Sequence, residues 1–135
     1  QALPAALEEL GRRFAAETGS AVTTSLALTG PRLPARIEEA LYRIAQEALV
    51  NVRRHAQAAA VQLDLRLAGD HVRLTIADDG RGFDADQPAD PAARAHGHGF
   101  GLIGMRERAR LLNGTMQICS SSGAGTRVEV AIPLG

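Results

Sequence analysis

The run PARIEEALYRIAQEALVNVRRHAQAAAVQLDLRLAGDHVRLTIADDG, residues 34–80, changes its period midway, and that change sets the fold. Its first half carries Ile37, Leu41, Ile44, Ala48 and Val52 at helical spacing, which predicts a helix from about Pro34 to Ala56. Pro34 suits the first turn, where a missing N–H costs nothing. Its second half alternates. Val61, Leu63, Leu65 and Leu67 predict a strand over about 60–67, and Val72, Leu74 and Ile76 another over 71–77. Gly69-Asp70 between them fits a two-residue hairpin. Outward from this core, Leu3, Leu7, Leu10 and Phe14 mark an amphipathic helix ending near Gly19. A short strand is expected over Val22, Ser25, Leu26 and Leu28, before a Gly30-Pro31 turn. Asp78 to about Phe100 has no periodicity and is rich in Gly, Pro and Asp; so long a loop is usually functional. Leu102, Met105, Ala109 and Leu112 predict a third helix closed at Asn113-Gly114. Thr115–Ser120 and Thr126–Pro133 read as the last strands, joined by a Gly-rich turn. The expectation is an α+β, two-layer sandwich: a mixed, mostly antiparallel sheet with about three helices on one face.

Composition narrows the chemistry. The 135 residues fit one domain, expected over 1–135, and balance 15 basic against 15 acidic side chains. That balance argues against nucleic-acid binding by bulk charge. Every basic residue is Arg, so a Walker A loop and a Schiff-base lysine are both excluded. Cys119 is the single cysteine and cannot form an internal disulfide, which suits a reducing compartment. No apolar run approaches a membrane span and no signal peptide is visible, so the expected location is cytoplasmic, whether or not the parent protein is membrane-anchored. Beginning at Gln1 rather than Met, the chain is expected to be a piece of a longer protein.

Four groupings carry chemistry. Glu47, Asn51, Arg54 and His55 are spaced four, three and one on the second helix, giving a polar stripe beside the apolar one. Carboxylate and amide oxygens one turn apart suit Mg²⁺, and Arg suits phosphate, although a solvated helix face has the same pattern. Asp78-Asp79-Gly80-Arg81-Gly82-Phe83 ends a strand. A carboxylate there can accept from an adenine amine at a pocket floor, or simply begin a turn. Gly97-His98-Gly99-Phe100-Gly101-Leu102 opens a helix whose free N–H groups favour phosphate. It is not a dinucleotide fingerprint, because a long loop rather than a strand precedes it and no acid lies between Glu107 and Glu129. Gly123-Ala124-Gly125-Thr126 is a tight hairpin turn that could also place Thr126 in a pocket.

The order of these four resembles that of the GHKL ATPases, the superfamily of gyrase-type, heat-shock and mismatch-repair ATPases and histidine kinases. The finer likeness is to the nitrate/nitrite-sensor branch of the sensor histidine kinases. LYRIAQEALVNVRRHAQA (Leu41–Ala58) resembles its N box and IADDGRGF (Ile76–Phe83) its G1 box. GHGFGLIGMRERARLLNG (Gly97–Gly114) resembles its G2 box, and GAGTRVEVAIP (Gly123–Pro133) its closing hairpin. The resemblance implies a Bergerat-type fold binding Mg-ATP. It makes Asn51 and Glu47 the catalytic and Mg²⁺ positions. Arg54 would touch phosphate, His55 would be a further nucleotide-binding position, and Asp78 would accept the adenine amine. Gly80 and Gly82 would shape the base pocket. Gly97, Gly99 and Gly101 would line the triphosphate, with Leu102 also nucleotide-binding and Asp84–His98 as the lid, and Thr126 would support Asp78 through a hydroxyl or water. Departures are Arg54 where relatives often carry Lys, Phe100 for a usual Leu, and Asn113-Gly114 for Gly-Gly.

The implied activity is phosphoryl transfer from ATP to a His on a separate dimerisation domain, then to a response-regulator Asp. No segment resembles that acceptor domain, and none of His55, His71, His96 and His98 is expected to be the acceptor. The first helix is expected to belong to the core or to end a connector over 1–18. Two rivals stay open at this point: an anti-sigma-type serine kinase with Glu47 as base, and a degenerate nucleotide-binding interaction module.

Overall fold

A computed structural model describes residues 2–28, 32–56, 58–80, 98–120 and 125–134, except the side chains of residues 55, 56 and 98–102. The elements in chain order are α1 (Leu3–Thr18), β1 (Ala21–Ala27), α2 (Ala35–Asn51) running into a π-helical turn (Val52–Ala56), β2 (Ala60–Ala68), β3 (His71–Asp78), α3 (His98–Leu111), β4 (Thr115–Ser120) and β5 (Thr126–Pro133). The five strands form one sheet in the order β1-β2-β3-β5-β4. Only β1 and β2 run parallel. Their connection is the helical crossover that a parallel pair requires.

The register explains the two layers. Leu26, Leu65, Leu74, Val130 and Met116 stand opposite one another across all five strands, and Thr24, Leu63, Ile76, Val128 and Ile118 make the next row. These rows meet the buried stripes of the helices in one core. α1 packs on β1 and β2, α2 on β3, and α3 on β4 and β5, so the helices lie side by side in the order of the strands beneath them. Leu41 and Ile44 of α2 are fully buried, each contributing roughly 1.5–3 kcal/mol of transfer free energy. The other face of the sheet is polar. It carries the pairs Arg66–Asp64 at 2.6 Å, Arg127–Glu129 at 3.1 Å and Arg73–Glu129 at 3.5 Å. Pairing with Arg66 holds the Asp64 carboxyl below its ordinary range. The two Glu129 pairs, with their exposed arginines, add little stability.

α1 buries Leu3, Leu7, Gly11 and Phe14. A side chain at Gly11 would meet Val22 Cγ1 at 3.1 Å, so the glycine lets α1 lie close on β1. Gly69, at φ +67°, leads the β2–β3 hairpin, while Asp70 is not in the left-handed region. That is the requirement of a type II′ turn.

Three boundaries differ from expectation. β1 occupies Ala21–Ala27 instead of reaching Leu28. α3 starts at His98, so Gly99, Phe100 and Gly101 stand in its first turn rather than before it. A helix leaves its first four N–H groups without intrahelical acceptors wherever it starts, so the glycines remain at the donor end. Finally, α2 does not run regularly to Ala56. Its last five residues wind as a π-turn, whose i→i+5 bonding turns successive side chains by a different angle. Arg54 is therefore rotated off the line that Glu47 and Asn51 define, and it is exposed.

The end of α3 shows why Asn113-Gly114 can replace Gly-Gly. Asn113 takes φ +60°. Its N–H bonds Arg110 O at 2.9 Å and the Gly114 N–H bonds Ala109 O at 2.8 Å, which together make a Schellman closure. Asn tolerates the left-handed position. Gly114 has a separate constraint: a Cβ there would sit 2.6 Å from Ala131 O and 2.9 Å from Ile132 Cγ1. Gly114→Ala is expected to destabilise the chain by about 2 kcal/mol, while Asn113→Gly should shift it by less than about 1 kcal/mol. Urea unfolding of both variants checks this.

Candidate functional site

The third row of the sheet breaks the apolar pattern. In register with Val22 and Val61 come Asp78, Thr126 and Ser120. They stand on the helix-facing side, where the two rows before them are core. A carboxylate and two hydroxyls thus continue a hydrophobic surface at one end of the sheet. Alternation dictates this, since Asp78 lies two residues past Ile76 and Thr126 two before Val128.

The helices bring further groups to the same end. α2 begins beside the far end, where Pro34 and Ile37 share a groove with Leu112, Asn113 and Pro133. It leaves toward Ala59 and Ala60, next to Val61, whose partner is Asp78. Glu47 and Asn51, both half-buried, therefore lie on the part of α2 nearer Asp78. α3 runs the opposite way. Its closing turn packs on Ala131 and Ile132, which sends its N-terminus toward the Thr126 end. A helix C-terminus favours cations and a helix N-terminus favours anions. The arrangement suits a metal-bound anion held between the two helices.

Asp78 is half-buried, and its Oδ1 accepts from the Gly80 N–H at 2.8 Å. The Thr126 backbone N–H also donates to it. Burial raises the carboxyl above its ordinary range; these two N–H bonds pull the other way, and Asp79 adds to the rise. The Thr126 hydroxyl lies 2.9 Å from Ser120 Oγ. Gly80 is buried against this corner.

Besides Ser120, two residues outside the expected set hold the corner together. Asp79 Oδ1 accepts from both Ala59 N and Ala60 N at 2.9 Å, and its own N–H bonds Ala60 O at 3.2 Å. The segment leaving α2 is thereby tied to the strand end that carries Asp78. Ser20 Oγ donates to Ala58 O at 2.8 Å from the α1 side. Gly125 is the other. At φ +83° it lies so close to β3 that a Cβ would overlap the Asp78 carbonyl oxygen. The second Asp of Asp-Asp-Gly and the second Gly of Gly-Ala-Gly-Thr were visible as turn residues, but their partners lie 19 or more positions away in sequence.

Of the other expected residues, Gly82, Gly97, Gly123, His96 and the Asp84–His98 lid short of its last residue lie outside the described residues. Gly99, Gly101 and Leu102 are placed as backbone in α3, and His55 as backbone in the π-turn. Arg54 has no described partner that fixes it near the Asp78 corner, whereas neighbouring Arg53 pairs with Glu17 of α1 at 3.3 Å.

Residues 36–135 match the family described as histidine kinase-, DNA gyrase B- and HSP90-like ATPase. The chain belongs to this family. It is 40% identical over 103 residues to the signal transduction histidine-protein kinase/phosphatase DegS of Bacillus subtilis, covering 76% of this chain and 26% of that one. With DegS of Brevibacillus brevis it shares 33% over 128 residues, covering 95% and 31%. The chain thus spans about a quarter to a third of these relatives. The histidine kinase domain of the blue-light-activated kinase of Erythrobacter litoralis superposes with a TM-score of 0.75 at 22% identity, over 98% of this chain and 61% of that one. The fold is that of a histidine kinase ATPase domain. No described helix is long and apolar enough to cross a membrane.

Proposed function

We propose that this chain is the catalytic domain of a bacterial, cytoplasmic sensor histidine kinase module: it binds Mg-ATP and presents the γ-phosphate to a His outside the chain. The carrying observation is the polar row Asp78–Thr126–Ser120 at the sheet end that α2 leaves and α3 enters. Asp78 would accept from the adenine amine. Gly80 would leave room for a flat base against backbone, while Gly125 lets its turn close on the β3 backbone at Asp78. The first turn of α3, with Gly99 and Gly101, would donate N–H groups to phosphate oxygens. Gly82, Gly97, Leu102, Arg54 and His55 complete the proposed nucleotide surface.

The α2 oxygens fit Mg²⁺ in kind. Glu47 and Asn51 are one turn apart and half-buried, and Mg²⁺ takes one or two protein oxygens beside phosphate and water. Among the described residues no group of three or more His, Cys, Asp or Glu forms a cage for a metal by itself. When bound, Mg²⁺ would neutralise phosphate charge. The protein's own contribution is positioning. In the transfer, the bond from the γ-phosphorus to the β–γ bridging oxygen breaks, a phosphorus–nitrogen bond to the acceptor His forms, and ADP leaves. The proton lost by that His goes to a base on the acceptor's domain. A response-regulator Asp would then take the phosphoryl group.

Titration of the purified chain with ATP, with and without Mg²⁺, tests the reading. Wild type should bind in a Mg²⁺-sensitive way. Asn51→Ala should weaken Mg-ATP at least about tenfold and remove most of the Mg²⁺ sensitivity. Folded wild-type chain that ignores ATP would overturn the proposal.

A further inference from the structure

β1 is an edge strand, and among the described residues it pairs only with β2. The Ala21 N–H donates to Ala59 O at 2.8 Å, so Ala21 turns its backbone groups inward. Successive residues of a strand turn these groups to alternate sides. Thr23, Ser25 and Ala27 therefore point at β2, while Val22, Thr24 and Leu26 present N–H and C=O at the open edge. Natural edges are usually blunted by Lys, Pro, a charge or a bulge. The strand AVTTSLA holds no charge and no Pro, and its pairing with β2 is continuous. The outward set is also symmetric about Thr24. Two β1 strands paired antiparallel about a two-fold axis there would set Val22 against Leu26 of the second copy and Thr24 against its counterpart, each pair exchanging both hydrogen bonds. Val22 and Leu26 pack on the core yet stay half-exposed, and in this pairing they would cover each other.

α1 carries charges that fit the same axis. Leu3, Ala6, Glu9 and Arg13 face α2, where they line a groove with Tyr42. Glu8 and Arg12, four residues apart, lie on the flank away from α2, over the open edge of β1. Both are exposed, and no described ion pair engages either. Gly11 sits over Val22 and Thr24, so a two-fold axis at Thr24 passes close to the level of Gly11. It would lay the two α1 helices antiparallel about 10 Å apart. Glu8 of each copy would then lie within about one helical turn of Arg12 of the other, within reach of both side chains.

We propose that the β1 edge is a self-association surface: a second copy of this chain pairs its β1 antiparallel with this one, with Glu8 and Arg12 of the two α1 helices in reciprocal ion pairs. Such a contact is isologous and closes at two copies. Val22 is in register with Asp78 through Val61, so the two Asp78 ends point opposite ways and both sites stay open. The surface is thus independent of the nucleotide reading.

Sedimentation equilibrium of the purified chain at low salt, from about 10 μM to about 1 mM, tests this; the upper limit is the effective concentration that tethering two copies supplies. Wild type should show a monomer–dimer equilibrium in that range. Thr24→Pro removes an outward N–H that β2 does not use, which an edge strand tolerates, and should weaken the dimer at least about tenfold. Glu8→Arg and Arg12→Glu should each weaken it about fivefold. Combined, they should return it to within about twofold of wild type. The charge exchange decides the matter even where Thr24→Pro fails to fold, since both positions are exposed. A wild-type chain that stays monomeric to about 1 mM, single reversals that leave the dimer unchanged, or a combined variant that does not recover would each overturn the proposal.

Discussion

Asp78→Asn is expected to weaken ATP binding strongly while leaving the chain as stable as before, or slightly more so. The two halves have one cause. Asp78 sits at the end of an apolar row, and burial raises its carboxyl above the ordinary range. The folded state therefore disfavours the ionised form. For an acid whose folded pKa exceeds its unfolded one, stability is greatest below the unfolded pKa and falls as pH rises toward the folded value. The amide has no such fall, and it can still accept from the Gly80 N–H. Binding runs the other way. The ionised carboxylate is the acceptor that an amine needs, and a hydrogen bond to a charged group is worth about 1.5–3 kcal/mol, or roughly 10–150-fold in affinity. In wild type, ATP affinity should drop as pH falls through the raised pKa, at a higher pH than for an ordinary carboxylate. Calorimetric titration and thermal melts across the acid-to-neutral range check both halves. A variant that binds ATP as wild type does would remove Asp78 from the site.

Gly125→Ala should produce the largest loss of stability of any single-methyl addition considered. Two costs combine. The residue is at φ +83°, and the added Cβ would overlap the Asp78 carbonyl oxygen, with Asp78 C at 3.0 Å and Asp79 Cα at 3.1 Å. All three are backbone atoms, so no side-chain rotation relieves the clash. Gly69→Ala is the natural comparison: Gly69 also has positive φ, but nothing lies within 4 Å of its would-be Cβ. That change should cost only the strain, about 1 kcal/mol. Gly125→Ala should cost about 3 kcal/mol or more and lower Tm by about 10 °C. It should also weaken ATP in whatever fraction stays folded, because β3 must shift at Asp78. Melting curves for the pair, followed by nucleotide titration below the transition, separate the two effects. Equal, small losses in both variants would show that the β3–β5 contact is looser than described.

Motif order and alternation made much of this site legible. Asp78 could be placed on the helix-facing side because it continues the parity of Val72, Leu74 and Ile76, and Thr126 because it precedes Val128 and Val130 by even steps. The Glu47–Asn51 spacing survived folding because it lies within the regular part of α2. The line through Arg54 did not, since the π-turn begins at Val52 and nothing in the sequence signalled the extra winding. Asp79 and Gly125 look like turn residues in the sequence. Their partners are Ala59 and Ala60 for the first and the β3 backbone for the second, and no local pattern announces such a contact.

The sequence by itself determined the class of the fold, the helix and strand periods, the last two strands to the residue, and the chemical kind of each site group. Those properties depend on side-chain spacing along one segment. The tertiary structure alone decided that β1 lies parallel to β2 at the sheet edge, that α2 and α3 run in opposite directions, and that the Ser120 and Thr126 hydroxyls meet. Those properties depend on pairings between segments distant in sequence. Strand order is selected by how three helices can cover one apolar face, and a hydroxyl's partner by the neighbour that folding delivers.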